Sequence, residues 1–248
     1  MRRRFILYKD QLPKLVKLTS NPGIDQNYTI ENGYRYFDLL VVGGGGAGGV
    51  NSGGGGGSGL IIYVKDFIIK NLQSKQIVYN IAPSVVTDNH GKNTVIVFDG
   101  KQIQANGGKR GTSEGFTSTI YYGDGADLNT EAQQILSKYV SDPSLKIAMC
   151  SNGGGVGRRL NSIIIPIKSI FQGGGQSGDS YDGTVDDGSG SGGGAAAYGS
   201  GGNGGASGHD NPTNGTNGGI GAGGGGGGGM SRKGGKGGQG IICLYYHN

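Results

Sequence analysis

Apolar residues in this chain gather in short runs of four to eight, rich in Val, Ile, Leu, Tyr and Phe, with turn-forming residues between them. Runs of that length and composition read as β-strands. Tyr36-Phe37-Asp38-Leu39-Leu40-Val41-Val42 is apolar at almost every position, the pattern of a strand buried on both faces. Leu60-Ile61-Ile62-Tyr63-Val64 reads the same way, and Gly240 to Tyr246 (GIICLYY) predicts a closing strand. Gln76 to Ile81, Thr94 to Phe98 and Gln102 to Gln104 predict three more. The last two flank Asp99-Gly100, a pair favoured in type I′ hairpin turns. Ser118 to Tyr122 adds a further candidate, as does Ser162 to Ile167, where Pro166 favours a sheet edge. Helical spacing is confined to Thr130 to Ser141. There Thr130 and Gln133 form a capping box, Ala132, Ile135, Leu136 and Tyr139 share a face, and Pro143 follows.

Glycine changes this picture. The chain holds 58 glycines in 248 residues, and 32 of the 68 residues from Gly173 to Gly240 are glycine, with Gly223 to Gly229 uninterrupted. Ordering a glycine costs about 0.5–1 kcal/mol more than ordering an alanine. Over such a tract the penalty exceeds the ~5–15 kcal/mol net stability of an ordinary domain. An ordered tract therefore needs backbones packed so closely that a Cβ would not fit, with every N–H and C=O partnered. Polyproline II-type helices meet that need, because their backbone groups bond sideways to neighbours instead of along their own axis. Shorter glycine runs, Gly43 to Gly49 and Gly53 to Gly57, join the strands directly. The expected fold is all-β: a jelly-roll-like β-sandwich with a glycine-rich, partly polyglycine II distal layer and one short inserted helix. Its parts are an N-terminal attachment arm (1–30), a sandwich core (31–172) with the helical insertion near 128–142, a glycine-rich segment packing on it (173–240) and a closing strand (241–248).

Charge and motifs narrow the function. The formal net charge is +5, with Arg2, Arg3, Arg4, Lys9, Lys14 and Lys17 near the N-terminus. Such a start suits nucleic acid, an acidic protein surface or plain solubility. Cys150 and Cys243 are isolated and lack zinc-ligand spacing, which fits reduced packing residues. No secretory leader follows Met1, and no run approaches the ~20 apolar residues of a membrane span. Gly43 to Gly48 satisfies G-x-G-x-x-G after a strand, but the glycine-dominated residues that follow cannot propagate the helix a dinucleotide site requires. His90, His209 and His247 are scattered, and Asp179, Asp182, Asp186 and Asp187 sit among Gly and Ser as solvated loop residues do. No enzyme activity, cofactor or metal site is expected. The basic segments Lys109-Arg110-Gly111 and Arg232-Lys233-Gly234-Gly235-Lys236 could meet nucleic acid, but no aromatic residues interleave with them to stack bases.

Tyr36 to Gly49, Gly59-Leu60-Ile61-Ile62-Tyr63, Thr94 to Gly108 (TVIVFDGKQIQANGG) and Gly234 to Tyr246 (GGKGGQGIICLYY) together resemble the glycine-rich domain of bacteriophage tail-fibre and related virion proteins. The resemblance spans residues 34–108 and 190–248, and leaves out 110–171 and the basic start. The glycine architecture is also similar to that of receptor-binding tip adhesins of T-even-like phages, in which loops joining polyglycine II helices contact the host. The resemblance implies a non-enzymatic virion structural protein of fibre or tail-tip type that contributes to host-surface attachment. It would be made and assembled in the host cytoplasm, form a homo-oligomer and contact other virion proteins and a host-surface receptor. The alternative is a basic glycine-rich nucleic-acid-binding protein.

Polyglycine has no side chains with which to discriminate, so specificity would reside in the residues that interrupt it. Tyr181, Asp182, Tyr198, His209, Asp210 and Asn211 are the candidate receptor contacts, offering aromatic surface and adaptable hydrogen bonds. Arg2, Arg3, Arg4, Phe5, Ile6 and Leu7 are the candidate virion-attachment residues, combining positive charge with anchoring apolar groups.

Overall fold

The computed structural model describes residues 11–51, 53–86, 88–111, 134, 137–140, 147–149, 198–206, 213–229 and 232–248. Among these, nine strands form two antiparallel sheets. They are β1 (Lys14–Leu18), β2 (Gln26–Thr29), β3 (Tyr36–Val42), β4 (Ile61–Ile68), β5 (Gln76–Asn80), β6 (Thr94–Phe98), β7 (Lys101–Ala105), β8 (Ile147–Met149) and β9 (Ile241–His247). The larger sheet has the order β1-β9-β3-β4-β8 and the smaller β2-β5-β6-β7.

Side-chain alternation decides what each face of these strands covers. From β3, Phe37, Leu39 and Val41 enter the core between the sheets, as do Ile242, Leu244 and Tyr246 from β9. They meet Ile77 and Tyr79 of β5, Ile96 and Phe98 of β6, and Ile103 of β7. Phe37, Phe67 and Phe98 stack through the middle, with neighbouring ring centroids 4.8 Å apart. Leu40, Val42, Ile61, Tyr63, Ile241 and Cys243 point the other way and form a second buried cluster on the outer face of the larger sheet. This double burial is why β3 reads as continuously apolar. The Cys243 thiol is free, and burial pushes its pKa up to about 12.

The all-β sandwich is as expected, and β3, β5, β6, β7 and β9 lie where the apolar runs predict them. Asp99 and Gly100 both have positive φ, +46° and +77°, as a type I′ turn requires. Helical backbone is present at 134 and 137–139, and Tyr139 at its end and Val140 just beyond it are buried in the core. The expected strands 118–122 and 162–167 lie outside the described residues.

Two boundaries differ from expectation. Residues 14–18 and 26–29, read as part of an arm, are strands of the sandwich: β1 pairs with β9 and β2 with β5. Without β1, the apolar strand β9 would present an open edge, with a row of unpaired backbone groups. The glycine-rich layer likewise extends beyond 173–240. It recruits 43–60, 82–92 and 106–111 from the stretch assigned to the sandwich, because these glycine-bearing connections leave the strands at the same end of the molecule.

Candidate interaction face

The run 43–49 shows how the glycines are ordered. Gly43, Gly46 and Gly49 donate their N–H groups to the carbonyls of Leu60, Gly57 and Gly54. Gly44 and Ala47 donate to Lys92 and Asn89, and Gly45 and Gly48 to Gly238 and Gly235. Seven consecutive donors thus rotate among three neighbours, each neighbour being met at every third residue. That is the symmetry of a polyglycine II helix, with three residues per turn and all bonds lateral. The carbonyls of the same run reach two further segments, Gly44 and Ala47 accepting from Gly108 and Gly111, and Gly46 and Gly49 from Gly224 and Gly227. Residues 43–49 are consequently a hub with five hydrogen-bonded neighbours. No N–H in the G-x-G-x-x-G segment is left for a phosphate.

Residues 222–228 form a second hub, bonded to 46–49, 56, 202–205, 213–219 and 235–238. Space, not backbone conformation, demands glycine in both hubs. The positive-φ glycines near the second hub are Gly221 and Gly229, at the turns that bound it. A Cβ on Gly48 would lie 1.9 Å from the carbonyl oxygen of Gly225, and one on Gly235 1.8 Å from that of Thr216.

The triplet grammar of each segment records its place in this lattice. The hubs, surrounded on all sides, are nearly pure glycine. Residues 234–239 read Gly-Gly-Lys-Gly-Gly-Gln: two buried columns and one outward column, with Lys233 and Lys236 exposed. Residues 213–218 read Thr-Asn-Gly-Thr-Asn-Gly: Gly215 and Gly218 approach the carbonyls of Gly225 and Ala222, while Thr and Asn are exposed.

Those outer side chains also satisfy backbone groups. Asn214 Oδ1 and Asn217 Oδ1 accept from the N–H groups of Lys233 and Lys236, both at 2.9 Å. Thr213 Oγ1 and Thr216 Oγ1 accept from Ala206 N and Asn203 N at 2.8 and 2.5 Å. Three segments, 200–206, 213–218 and 233–239, therefore lie side by side. Together they present parallel columns: Ser200 and Asn203, Thr213 and Thr216, Asn214 and Asn217, Lys233 and Lys236. Three residues at ~3.1 Å rise make the repeat along each column ~9 Å. The result is a ribbed, hydrophilic face held from beneath by backbone hydrogen bonds.

Of the candidate receptor contacts, Tyr198 is described. It leads into the outer segment 199–206, is half-buried and packs on the second apolar cluster. Lys17 Nζ lies 5.7 Å from its ring centroid, and the hydrogen bond with Tyr198 raises the pKa of the Lys17 ammonium. Tyr181, Asp182, His209, Asp210 and Asn211 lie outside the described residues, as do Arg2, Arg3, Arg4, Phe5, Ile6 and Leu7. The exposed columns were not foreseen, because 207–217 reads as a loop interrupting the glycine tract. The signal that would have found them is the doubled Thr-Asn-Gly triplet at 213–218.

A family model described as a glycine-rich domain matches residues 19–247. The chain belongs to this glycine-rich domain family. Its matched span takes in β2 to β9 and every described segment of the lattice, and leaves out β1 at the edge of the larger sheet, so strands and glycine helices fall within one family unit. A comparison with curated proteins gives no match. No helix among the described residues is long and apolar enough to cross a membrane.

Proposed function

We propose that this glycine-rich domain protein is a non-enzymatic structural component of a phage virion, of fibre or tail-tip type, that contributes to attachment to the host surface. The ribbed face carries the reading. Its side chains are fixed at a regular repeat on a lattice that holds them without a hydrophobic core, and its outward groups are Ser, Thr, Asn and Lys. Such groups suit a hydrated surface, where adaptable hydrogen bonds replace apolar contact. Preorganisation reduces the ordering cost of each contact. The resemblance of Tyr36 to Gly49 and Gly234 to Tyr246 to phage fibre domains supports the virion setting. Residues 1–10 are the proposed attachment to neighbouring virion proteins.

The test combines location with adsorption. Particles carrying Ser200→Arg, Lys233→Glu and Lys236→Glu should assemble normally and adsorb to host cells at least tenfold more slowly. Antibody labelling of wild-type particles should place the chain at the tail tip or fibre. Unchanged adsorption would remove the face from the binding site, and absence of the chain from purified particles would overturn the virion assignment.

A further inference from the structure

At the end of the larger sheet away from the glycine lattice, three strands bring an imidazole and two carboxylates together. Asp38 of β3 lies opposite a bulge in β4, where the register shifts between the Phe37↔Phe67 and Leu39↔Val64 pairs. The extra residue at that bulge is accommodated with Asp66 at φ +56°, which turns its carboxylate beside that of Asp38. His247 of β9 pairs in register with Tyr36, two residues before Asp38 on β3. Its Nε2 lies 3.2 Å from Asp38 Oδ1 and 3.4 Å from Asp66 Oδ1.

We propose that Asp38, Asp66 and His247 are the protein ligands of a divalent first-row transition ion of the zinc class. Ligands ~2.0–2.1 Å from a tetrahedral ion stand ~3.3–3.4 Å apart, which is the spacing found from Nε2 to both carboxylate oxygens. The charge argues in the same direction. Asp38 is only 1% exposed, and among the described residues His247 is the only basic group paired with either carboxylate. A buried charge such as that of Asp38 is stabilised by pairing or by metal coordination, and the partly exposed Asp66 carboxylate beside it competes for the same imidazole. The surrounding contacts fit a ligand held from behind. Tyr63 donates its hydroxyl proton to Asp38 Oδ2 at 2.6 Å, and Asp66 N–H donates to Asp38 Oδ1 at 3.0 Å, which leaves that oxygen a second lone pair. Asp66 and His247 are partly exposed, so the ion has an entry path and room for water in its remaining position. A nitrogen donor favours zinc, cobalt or nickel over calcium, which takes oxygen ligands in larger number. Bound there, the ion would join β9, β3 and β4 at the end of the sheet that the glycine lattice does not hold.

The experiment uses the full chain freed of metal with EDTA. Titration with Co²⁺ and Zn²⁺ at neutral pH, followed by calorimetry and by the cobalt absorption bands, should give one site per chain. Ca²⁺ should give none. His247→Gln and Asp66→Asn, both at partly exposed positions, should weaken Zn²⁺ binding at least tenfold while their melting temperatures in EDTA stay near wild type. Where a variant fails to fold, anomalous scattering at the zinc edge from wild-type crystals decides: a peak within bonding distance of all three donor atoms supports the site. No uptake by wild type, equal uptake by both folded variants, or a peak elsewhere overturns it.

Discussion

The sandwich and the glycine lattice bury backbone by opposite means. Between the sheets, Phe37, Phe67, Phe98 and their neighbours hold the structure through side chains, and backbone hydrogen bonds run in two directions within each sheet. In the lattice the hubs carry almost no side chains, and bonds leave each helix toward up to five neighbours. A sheet tolerates many side chains but few neighbours. A polyglycine II lattice tolerates many neighbours and, in its hubs, almost no side chains.

The sharpest break in that contrast is a single methyl group. Gly48→Ala would force a Cβ against a backbone carbonyl that is itself hydrogen-bonded, so neither partner can move cheaply. A loss of more than about 4 kcal/mol or failure to fold is expected, against about 0.5–1.5 kcal/mol for Ile96→Val in the sandwich core. Denaturant unfolding of both variants checks this ordering, and equal losses would mean that the lattice is as plastic as the core.

Gly100→Ala sharpens the reason. An added Cβ there meets nothing within 4 Å, and only the φ of +77° opposes it. The expected cost is about 1–2 kcal/mol, and Asn at that position should recover part of it. Crowding in the lattice and backbone handedness in the hairpin are thus separable by the same substitution at two sites.

The smallest effect is electrostatic and belongs to the sandwich. Burial of Asp99 opposes its ionisation, but hydrogen bonds from Tyr139 OH, Gln73 N and Ser74 N outweigh it and hold the carboxyl below its usual pKa. A depressed folded-state pKa contributes stability that is present above the unfolded value of ~3.9 and lost as pH falls through the folded value. Urea midpoints measured from pH 6 down to pH 2 should therefore fall more steeply for wild type than for Asp99→Asn. Parallel profiles would show that the carboxylate contributes nothing in that window.

Strands were legible in the sequence where composition alone determines them. Val and Ile runs at Thr94 to Phe98 and Ile241 to Tyr246, and the Asp99-Gly100 turn, carry local signals that tertiary structure did not overrule. Order in the glycine tract followed from entropy and backbone satisfaction, without any local pattern. β1 and β2 were missed because Lys14–Leu18 mixes basic and apolar residues in too short a run, and its strand identity comes from pairing with β9 over two hundred residues away. Asp38, Asp66 and His247 were invisible as a group for a related reason. Asp38 interrupts an apolar strand, the only local hint, while Asp66 reaches it through a bulge and His247 through sheet order. The exposed columns were legible in principle, since the count of non-glycine positions per triplet gives the number of faces a segment shows to solvent.

The interior place of β9 sets the order of events during synthesis. This strand lies between β1 and β3, and the segment leading into it supplies the carbonyls of Gly235 and Gly238 to the first hub. A nascent chain that has passed residue 111 already holds β3 to β7, yet Gly45 and Gly48 have no acceptors and β3 has an open edge until residues 232–247 emerge from the ribosome. Contacts of such long sequence separation form slowly and leave strand edges exposed while they wait. Translation to the final strand is thus the step that closes both the larger sheet and the lattice, and the two regions complete themselves in a single late event.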